Sequence, residues 1–503
     1  MVFSVPAKPS GFSNPDYPGI LGLGIFETSA SPPNTCPPGA SNGCSVDPCF
    51  GSDGYEVCIT GGSWVYDGAP WGSTVDVAKS KFTVGATYFT RWMIRDSAGV
   101  DQWSAATPMT LTTTTTTTTT TTQPPSEAIT TLDTGGVGLY SSVAVDAGDG
   151  FRVLYYDATN GDLKLSQCLN VLCTGYGYLN SPATAGDTGL WPAMVLGTTG
   201  ADSGNPFFLY YDATTGNLMG QSCSSHNCGN SSPGYFGLAA SSTVSVAMNQ
   251  SHQPVFSFSH DGKLYIKVCQ DFSCGGRWTN GSGGIVDPNP GSNNGAGPNM
   301  GRFSSIAVGP DNNPVVSYLD SDNGFLRVKR CRLDTCSDSA SNPRPTDLVS
   351  TGVTTDMSQT SLVVPGSGNP VISYFKNDSA SATNPTSGSL NVFACDDPDC
   401  STGTNTVVDS SGVTGQGSAM ALVDGLPVIA YYDRSNQDLK LARCSNEACT
   451  ASVLSVVDSV GVVGSGVNSI AVAPGGADYD ARIGITYYDE TNQALKIAVL
   501  PAS

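Results

Sequence analysis

One short sequence recurs along most of this chain and constrains its fold more than any other feature. The copies end in Tyr-Asp or its equivalent and are spaced by about 55 residues, a period typical of repeat architectures. Seven copies of one unit predict seven blades of a single β-propeller. Alignment places these copies at Asp157, Asp212, Asp261, Asp320, Tyr374, Asp433 and Asp489.

Each copy predicts four short strands. In the fourth copy, an apolar strand at 305–308 is followed by a second at 314–318, a polar hairpin at 321–324 and a third strand at 326–328. Segments such as 406–409 supply the fourth strand. Four strands joined by hairpins are typical of a propeller blade, and the continuous apolar second strand predicts burial on both faces. The fold class is therefore all-β.

The two ends of the chain predict how the ring closes. The last copy stops after its third strand, at 495–499, whereas 129–133 matches a fourth strand but precedes the first copy. Pairing of these two segments would complete the seventh blade and remove its open edge. We therefore expect the propeller domain to span 126–503.

Cysteine spacing follows the repeat. Six pairs with four intervening residues lie between the third and fourth strands, and two thiolates alone do not complete a tetrahedral metal site. The three histidines, His226, His252 and His260, are too few to complete such sites. We therefore predict no metal site but six disulfides, hence an oxidising, extracellular or cell-surface location. The pairs are Cys168/Cys173, Cys223/Cys228, Cys269/Cys274, Cys331/Cys336, Cys395/Cys400 and Cys444/Cys449.

Composition excludes two classes of partner. The net charge is −20, and only 13% of the residues are charged. Such a chain offers no basic patch for nucleic acid and is repelled by anionic membrane surfaces. No apolar stretch approaches the roughly 18 residues of a membrane span, so no membrane insertion is expected. The first six residues lack the pattern of a signal peptide, so we expect a mature form of an exported protein.

A different domain is predicted at 1–111. The segment 84–99, followed by Trp103-Ser104-Ala105, is similar to the penultimate strand, tyrosine corner and next turn of fibronectin type III modules. This resemblance implies an immunoglobulin-like β-sandwich. The module departs from the family in a Pro- and Cys-rich insertion whose four cysteines permit three pairings, and the sequence does not choose among them. These cysteines are Cys36, Cys44, Cys49 and Cys58.

Eleven consecutive threonines separate the two domains, within a linker at 112–125. A bare polythreonine tract is β-prone, so dense O-glycosylation is the interpretation we favour over a bare flexible linker. Four N-glycosylation sequons also occur, at Asn230, Asn249, Asn280 and Asn377. No cofactor other than covalent glycan is expected. The predicted O-glycosylation sites are Thr112, Thr113, Thr114, Thr115, Thr116, Thr117, Thr118, Thr119, Thr120, Thr121 and Thr122.

The sequence contains no catalytic motif that we recognise, so we predict no catalytic residue and a protein that is not an enzyme. The aspartates repeated in each blade are expected to cap hairpins rather than form a site. Tyrosine pairs such as Tyr210/Tyr211 are expected to pack between blades. The insertions at 275–300 and 377–389 are the best candidates for a ligand site.

Two functions remain. The first is a structural subunit that self-associates head to tail into an extracellular filament, with the N-terminal module or its leading segment 2–9 docking on a neighbouring copy. The order of domains resembles that of glycosylated extracellular filaments whose subunits join an immunoglobulin-like domain to a β-propeller. The alternative is a secreted glycan-binding adhesin that uses the propeller's loops or central channel.

The threonine tract gives the first testable prediction. We expect O-linked sugar on most residues of 112–122, because glycans keep such a tract solvated and separate from other chains. Intact-mass measurement before and after chemical deglycosylation tests this expectation. A mass close to the 51.7 kDa of the bare chain would refute it.

Overall fold

A computed structural model describes two parts of the chain. Between residues 2 and 110 it describes the strands alone. Beyond them it describes 127–502 apart from eleven gaps, which are 147–149, 229–233, 240–243, 261–262, 275–299, 322, 332–335, 337–345, 353–357, 382–383 and 476–479.

Seven strands are described before residue 111, in two antiparallel sheets. The leading strand β1 pairs with β4 of the same chain, and the larger sheet has the order β3-β2-β5-β6, with β7 also pairing β5. The sandwich at 1–111 stays a prediction, and its four cysteines lie outside the described residues. The strands are β1 (Val2–Ser4), β2 (Gly22–Phe26), β3 (Ser63–Tyr66), β4 (Thr74–Asp76), β5 (Thr87–Arg95), β6 (Asp101–Trp103) and β7 (Thr107–Thr110).

The chain divides into two compact units. One consists of Met1–Ser126 with Gln167–Tyr178 and Gly475–Tyr479. The other consists of Glu127–Ser166, Leu179–Pro474 and Asp480–Ser503.

The seven-bladed propeller is confirmed, because seven antiparallel sheets succeed one another in the part of 127–502 that the structure describes. Blades 1 to 3 are β9 (Val137–Val145), β10 (Phe151–Asp157), β11 (Asp162–Cys168) and β12 (Tyr176–Ala183); β13 (Thr188–Leu196), β14 (Pro206–Asp212), β15 (Asn217–Ser222) and β16 (Gly234–Ala239); and β17 (Ser245–Met248), β18 (Pro254–His260) and β19 (Lys263–Val268). A single-turn 3-10 helix, Gly200–Asp202, lies between β13 and β14.

Blades 4 to 7 repeat the same order from the inner to the outer strand. Blades 4 and 5 are β20 (Met300–Val308), β21 (Pro314–Asp320), β22 (Phe325–Arg330) and β23 (Thr346–Ser350); and β24 (Ser361–Val363), β25 (Val371–Asn377), β26 (Gly388–Cys395) and β27 (Gly403–Asp409). Blades 6 and 7 are β28 (Thr414–Val423), β29 (Leu426–Asp433), β30 (Asp438–Cys444) and β31 (Ser452–Asp458); and β32 (Ser469–Ala473), β33 (Arg482–Asp489) and β34 (Ala494–Pro501), completed by β8 (Ala128–Thr134).

The predicted closure of the ring is confirmed. Strand β8 lies antiparallel to β34, with Ile129 opposite Ala498 and Asp133 opposite Leu495. The first strand of the propeller thus becomes the outer strand of its last blade. Main-chain hydrogen bonds therefore join the two ends of the domain, and the edge of β34 that would otherwise be open is paired with β8.

The hydrophobic core lies between adjacent blades. Val428 and Leu439 of blade 6 belong to the same buried cluster as Ile483 and Ile485 of blade 7. Each second strand contributes to the interfaces on both of its faces, which explains why it is apolar at almost every position. No blade can bury its faces without both neighbours.

The repeated aspartates cap hairpins, as predicted. Asp433 accepts a hydrogen bond from the backbone nitrogen of Asn436 at 3.2 Å and another from its Nδ2 at 2.9 Å. Asp489 makes the same two bonds to Asn492. Asp in this position holds a tight turn by replacing backbone hydrogen bonds, so these carboxylates are structural.

A second acidic position binds neighbouring blades together. Asp409, at the end of the outer strand of blade 5, accepts hydrogen bonds from Tyr431 Oη at 2.7 Å and Lys440 Nζ at 2.6 Å in blade 6. Asp458 of blade 6 binds Tyr487 and Lys496 of blade 7 in the same way. The third copy joins Asp133 on β8 to Tyr155 and Lys164 of blade 1, at 2.9 and 3.0 Å. This inter-blade clamp therefore also secures the closing strand.

Six disulfides confirm the predicted pairing in the propeller. Every cysteine in the described residues is bonded. The second cysteine of each pair has a positive φ, between 46° and 55°, in the turn that leads toward the outer strand. The bonds join Cys168 to Cys173, Cys223 to Cys228, Cys269 to Cys274, Cys331 to Cys336, Cys395 to Cys400 and Cys444 to Cys449.

The clamp predicts a stability loss on its removal. Replacing Asp409 with Asn keeps the shape but removes the charge that binds Tyr431 and Lys440 in a buried position. We expect the free energy of unfolding to fall by about 2–3 kcal/mol, the range of hydrogen bonds to charged groups. Urea denaturation of the variant measures the loss. Asp424→Asn, at an exposed turn, is the matched control and should change little.

The clamp also predicts an acid limb of stability. Burial raises the pKa of Asp409, but hydrogen bonds from Lys440, Ser411 and Tyr431 outweigh burial and hold the pKa below its ordinary value. The stabilisation is therefore complete above about pH 4, the ordinary pKa of Asp, and is lost as pH falls through the lower pKa of the folded protein. The stability difference between wild type and Asp409→Asn should shrink in that window. A constant difference down to full protonation would contradict the assignment.

Candidate functional site

The inner strands of all seven blades surround a cavity of about 200 Å3 on the ring axis. Its lining contains serine, threonine, asparagine, glutamine, aromatic and aliphatic side chains. No Asp, Glu, Lys, Arg or His is among the described residues that line it. This uncharged cavity, in a chain of net charge −20, is the candidate site.

A ladder of serines builds the wall of this cavity. Ser305 Oγ accepts a hydrogen bond from the backbone nitrogen of Leu362 in the next blade at 3.1 Å, and Ser361 Oγ accepts one from Met420 at 2.9 Å. Ser142, Ser245 and Ser469 make the equivalent bonds to Met194, Ile306 and Val143. The inner strands are thereby held in register around the ring.

The ladder is interrupted at two blades. Blades 2 and 6 carry Ala193 and Ala419 where the other five have serine. In blade 2 the preceding residue is Pro192, and in blade 3 the corresponding position is Val244. Trp191, Pro192 and Val244 make the lining largely apolar at blades 2 and 3, which form the apolar wall. Blades 4 to 7 form the polar wall, in which hydroxyl and amide groups alternate with apolar side chains such as Phe303 and Met420.

Asn468 stands out on the polar wall. Its side chain is only 4% exposed, and its Nδ2 donates to the carbonyl oxygen of Gly417 at 2.9 Å. Its Oδ1 has no hydrogen-bond partner among the described residues. A buried amide oxygen without a partner carries a cost of about 1–3 kcal/mol, which a donor from a bound molecule would remove.

Four aromatic rings form a row beside the apolar wall. The ring centroids of Tyr140 and Trp191 are 5.7 Å apart, and those of Trp191 and Tyr211 are 5.5 Å apart. Tyr156 extends the row, 6.4 Å from Tyr140. Its hydroxyl donates to Asp187 at 2.6 Å, and burial together with this bond raises the pKa of Tyr156.

Trp191 has an unusual backbone conformation. Its φ is +50°, in the left-handed region, which costs a residue other than glycine about 1–3 kcal/mol. It also precedes Pro192, which favours an extended backbone before it. At the corresponding position, blade 4 has Phe303 with φ +57° and blade 6 has Gly417 with φ +59°. The inner strand bulges here in all three blades.

The two predicted N-glycosylation sites that the structure describes, Asn249 and Asn377, are not part of the cavity lining. Asn249 holds a turn, with Nδ2 donating to Gln253 Oε1 at 2.9 Å. Asn377 is 3% exposed, and its Nδ2 donates to the carbonyl oxygen of Ser381, so a glycan there would have to displace this buried amide. Asn230, Asn280 and Thr112–Thr122 lie outside the described residues.

The predicted ligand loops also contribute little to the described site. Of the insertion at 275–300, residues 275–299 lie outside the described residues, and in 377–389 the described polar groups mainly bond one another, as in Ser379 to Asn377. The first tyrosine of each pair is buried, as expected for packing between blades. The second members Tyr156 and Tyr211 instead join the aromatic row.

Sequence reasoning missed Trp191, Asn468 and the serine ladder. The ladder had a visible signal, because serine recurs before the apolar residues of five inner strands. Trp191 and Asn468 had a weaker one. Asn468 stands where four other repeats carry serine or threonine, whereas the repeats share no common residue at the position of Trp191.

Neither protein-family models nor curated proteins give a match to this chain. Among solved structures, several show a distant similarity. The chain is similar to a bifunctional GH43–CE protein of Bacteroides eggerthii, with 13% identity and a TM-score of 0.34 over 71% of this chain and 53% of that one. It is also similar to a puromycin hydrolase, with 10% identity and a TM-score of 0.38 over 81% and 57%.

A third similar structure is the GH93 alpha-L-arabinofuranosidase of Fusarium graminearum in complex with arabinobiose. It has 10% identity and a TM-score of 0.36, covering 73% of this chain and 93% of that one. The chain spans about half the length of the GH43–CE protein and of the hydrolase. At this level of likeness, no activity or residue role can be transferred.

One prediction needs correction. We predicted that the chain is not an enzyme. That prediction is contradicted, because the three similar structures are enzymes by name, although their low likeness assigns no activity to this chain. The prediction used the lack of a short catalytic motif, but a site built from several blades leaves no such motif in sequence. In the described residues, no cluster of three His, Cys, Asp or Glu side chains is placed for a metal. No helix there is long and apolar enough to cross a membrane.

Proposed function

We propose that this protein is a secreted glycan-binding protein that holds a neutral sugar in the propeller cavity. The observation that carries the proposal is the uncharged lining, in which blades 2 and 3 present mainly apolar side chains and blades 4 to 7 supply most of the hydroxyl and amide groups. A pyranose has a matching division, with C–H groups on its ring faces and hydroxyls at its edge. Ligand sites of this kind combine apolar walls with a few placed polar groups.

The size of the cavity limits the ligand. About 200 Å3 is below the roughly 300–1,000 Å3 of sites for drug-sized molecules. At about 30 Å3 per molecule, it corresponds to roughly seven waters. One sugar ring therefore fits better than an oligosaccharide, so we propose that the cavity receives a terminal residue of a glycan.

Burial strengthens the polar contacts that such a ring would make. A sugar hydroxyl that reaches the buried Asn468 Oδ1 can donate to it, and another can share a hydrogen bond with the Ser418 hydroxyl. The Thr360 hydroxyl already donates to the carbonyl oxygen of Phe303 at 2.9 Å and is left as an acceptor. These donors and acceptors are held in place by bonds to the neighbouring blade, such as Ser418 to Ser373 at 3.1 Å. A site whose groups are fixed before binding loses little conformational entropy on binding.

The location follows from the disulfides. Six bonds in the propeller indicate an oxidising environment, and we propose that the protein is extracellular or at the cell surface. An extracellular location suits an adhesin, which must reach a partner surface.

Self-assembly into a filament stays a second proposal. The outer strand β31 favours it, because Val453 is 65% and Val456 54% exposed and no Lys or Pro interrupts the strand. Such an edge is a site for strand pairing between chains. The proposed docking of segment 2–9 on another copy has less support, because Val2–Ser4 already pairs with Thr74–Asp76 of its own chain.

Glycan binding is tested with Asn468. We expect the wild-type protein to bind neutral glycans on an array, with affinities then measured by calorimetry. Replacing Asn468 with Ala removes the buried acceptor and should weaken binding about tenfold or more, which corresponds to about 1.4 kcal/mol. Asn446→Ala, in an outer hairpin of blade 6, is the matched control and should bind like wild type.

Two results would contradict this function. One is the lack of binding to any glycan by the folded wild-type protein. The other is unchanged affinity in Asn468→Ala when circular dichroism and thermal unfolding show an intact propeller.

Filament assembly is assessed separately by electron microscopy of the wild type and Val456→Lys, since a lysine on β31 should suppress strand pairing.

A further inference from the structure

Trp191 occupies a position where glycine would be the less strained choice. Blade 6 has Gly417 there, with a similar positive φ. Glycine adopts this conformation without the clash that a Cβ introduces. Blade 2 instead places the largest side chain at the position, directly before a proline. Either packing or a ligand must compensate for this strain.

Packing provides compensation in blade 4 but less in blade 2. Phe303 is 5% exposed and belongs to a buried cluster with Val315 and Leu319. Trp191 is only partly buried and does not belong to the buried hydrophobic core. Its observed ring contacts are with Tyr140 and Tyr211, which are also partly exposed. Strain without matching core burial is typical of residues kept for a binding site.

The position of Trp191 in the ring gives its role. It lines the cavity from blade 2, and in a ring of seven the blades across the axis are 5 and 6. These blades contribute Thr360 and Ser418 to the lining. A flat ring lying against the indole would therefore direct its edge groups toward hydroxyl groups.

We infer that Trp191 is the platform on which a neutral pyranose stacks, and that the site selects neutral sugars over acidic ones. This inference depends on the proposed glycan-binding function and goes further by naming the residue on which the sugar stacks and the acidic sugars that the site rejects. Stacking places the C–H face of the sugar against the apolar face of the indole, which removes apolar surface of both from water. Trp191 touches the ligand directly and is a binding residue.

Charge supports the selection of neutral sugars. A uronic acid or sialic acid would bring a carboxylate into a cavity whose described lining has no cation. Moving an unpaired charge out of water is costly, and the net charge of −20 adds repulsion. Binding of a neutral sugar should accordingly change little with ionic strength.

The test uses the strain itself. Trp191→Gly removes the ring and relieves the left-handed backbone, so its melting temperature should be equal to or above that of wild type. Its affinity for the bound sugar should fall at least tenfold. Trp191→Phe keeps a smaller ring and should retain part of the affinity. Tyr178→Ala removes an exposed aromatic ring on the outer strand β12 and is the control with unchanged binding.

The probes are methyl pyranosides of glucose, galactose and mannose and the corresponding uronic acids, each titrated by calorimetry at low and high salt. Binding of a neutral sugar that Trp191→Gly loses while staying folded supports the inference. Preference for a uronic acid, or unchanged affinity in folded Trp191→Gly, overturns it but leaves glycan binding in place. If Trp191→Gly unfolds and Trp191→Phe binds like wild type, the ring is structural and the inference is wrong. No binding to any sugar or glycan overturns both proposals.

Discussion

Packing between blades is the interaction on which the rest of this structure depends. Each blade has two apolar faces, and neither is covered until a neighbour is present, as the cluster of Val428 and Leu439 with Ile483 shows. The ring must therefore close before all seven blades are covered on both faces. Strand β8 closes it with main-chain bonds to β34, and Asp133 adds a charged contact to Tyr155 and Lys164 across the same boundary. The stability of this propeller therefore depends on closure of its ring.

The repeated contacts between neighbouring blades determine what kind of site the propeller can hold. Five inner strands present serines that bond to the next blade, so the strands around the uncharged lining are held in register without a ligand. Charged groups are used elsewhere, in clamps such as Asp409 with Lys440, where both partners are satisfied. The acidic character of the chain therefore does not extend into the lining. A neutral cavity follows from the way the blades are joined.

Much of this fold could be predicted from sequence, because its determinants recur. The Tyr-Asp repeat predicted seven blades, the displaced fourth strand predicted ring closure, and the Cys pairs predicted the six disulfides of the propeller. Recurrence helps because each blade repeats the same local solution, so a weak signal is read several times. The aspartate hairpins were predictable for the same reason, since Asp433 and Asp489 bind Asn436 and Asn492 identically.

The candidate site was not predictable in this way, because it consists of departures from the repeat. Trp191 stands where blade 6 has glycine, and Ala193 stands where five blades have serine. A single sequence does not show which departures from the repeat are neutral substitutions and which lie close together in the folded protein. The left-handed backbone of Trp191 and the unpartnered oxygen of Asn468 appear only in three dimensions. A symmetric ring offers seven equivalent wall positions, and binding one asymmetric ligand requires breaking that equivalence. The strained Trp191 on one side of the ring and the hydroxyl groups across from it make the lining asymmetric. The stability of the closed, clamped ring offsets the free-energy cost of this strain.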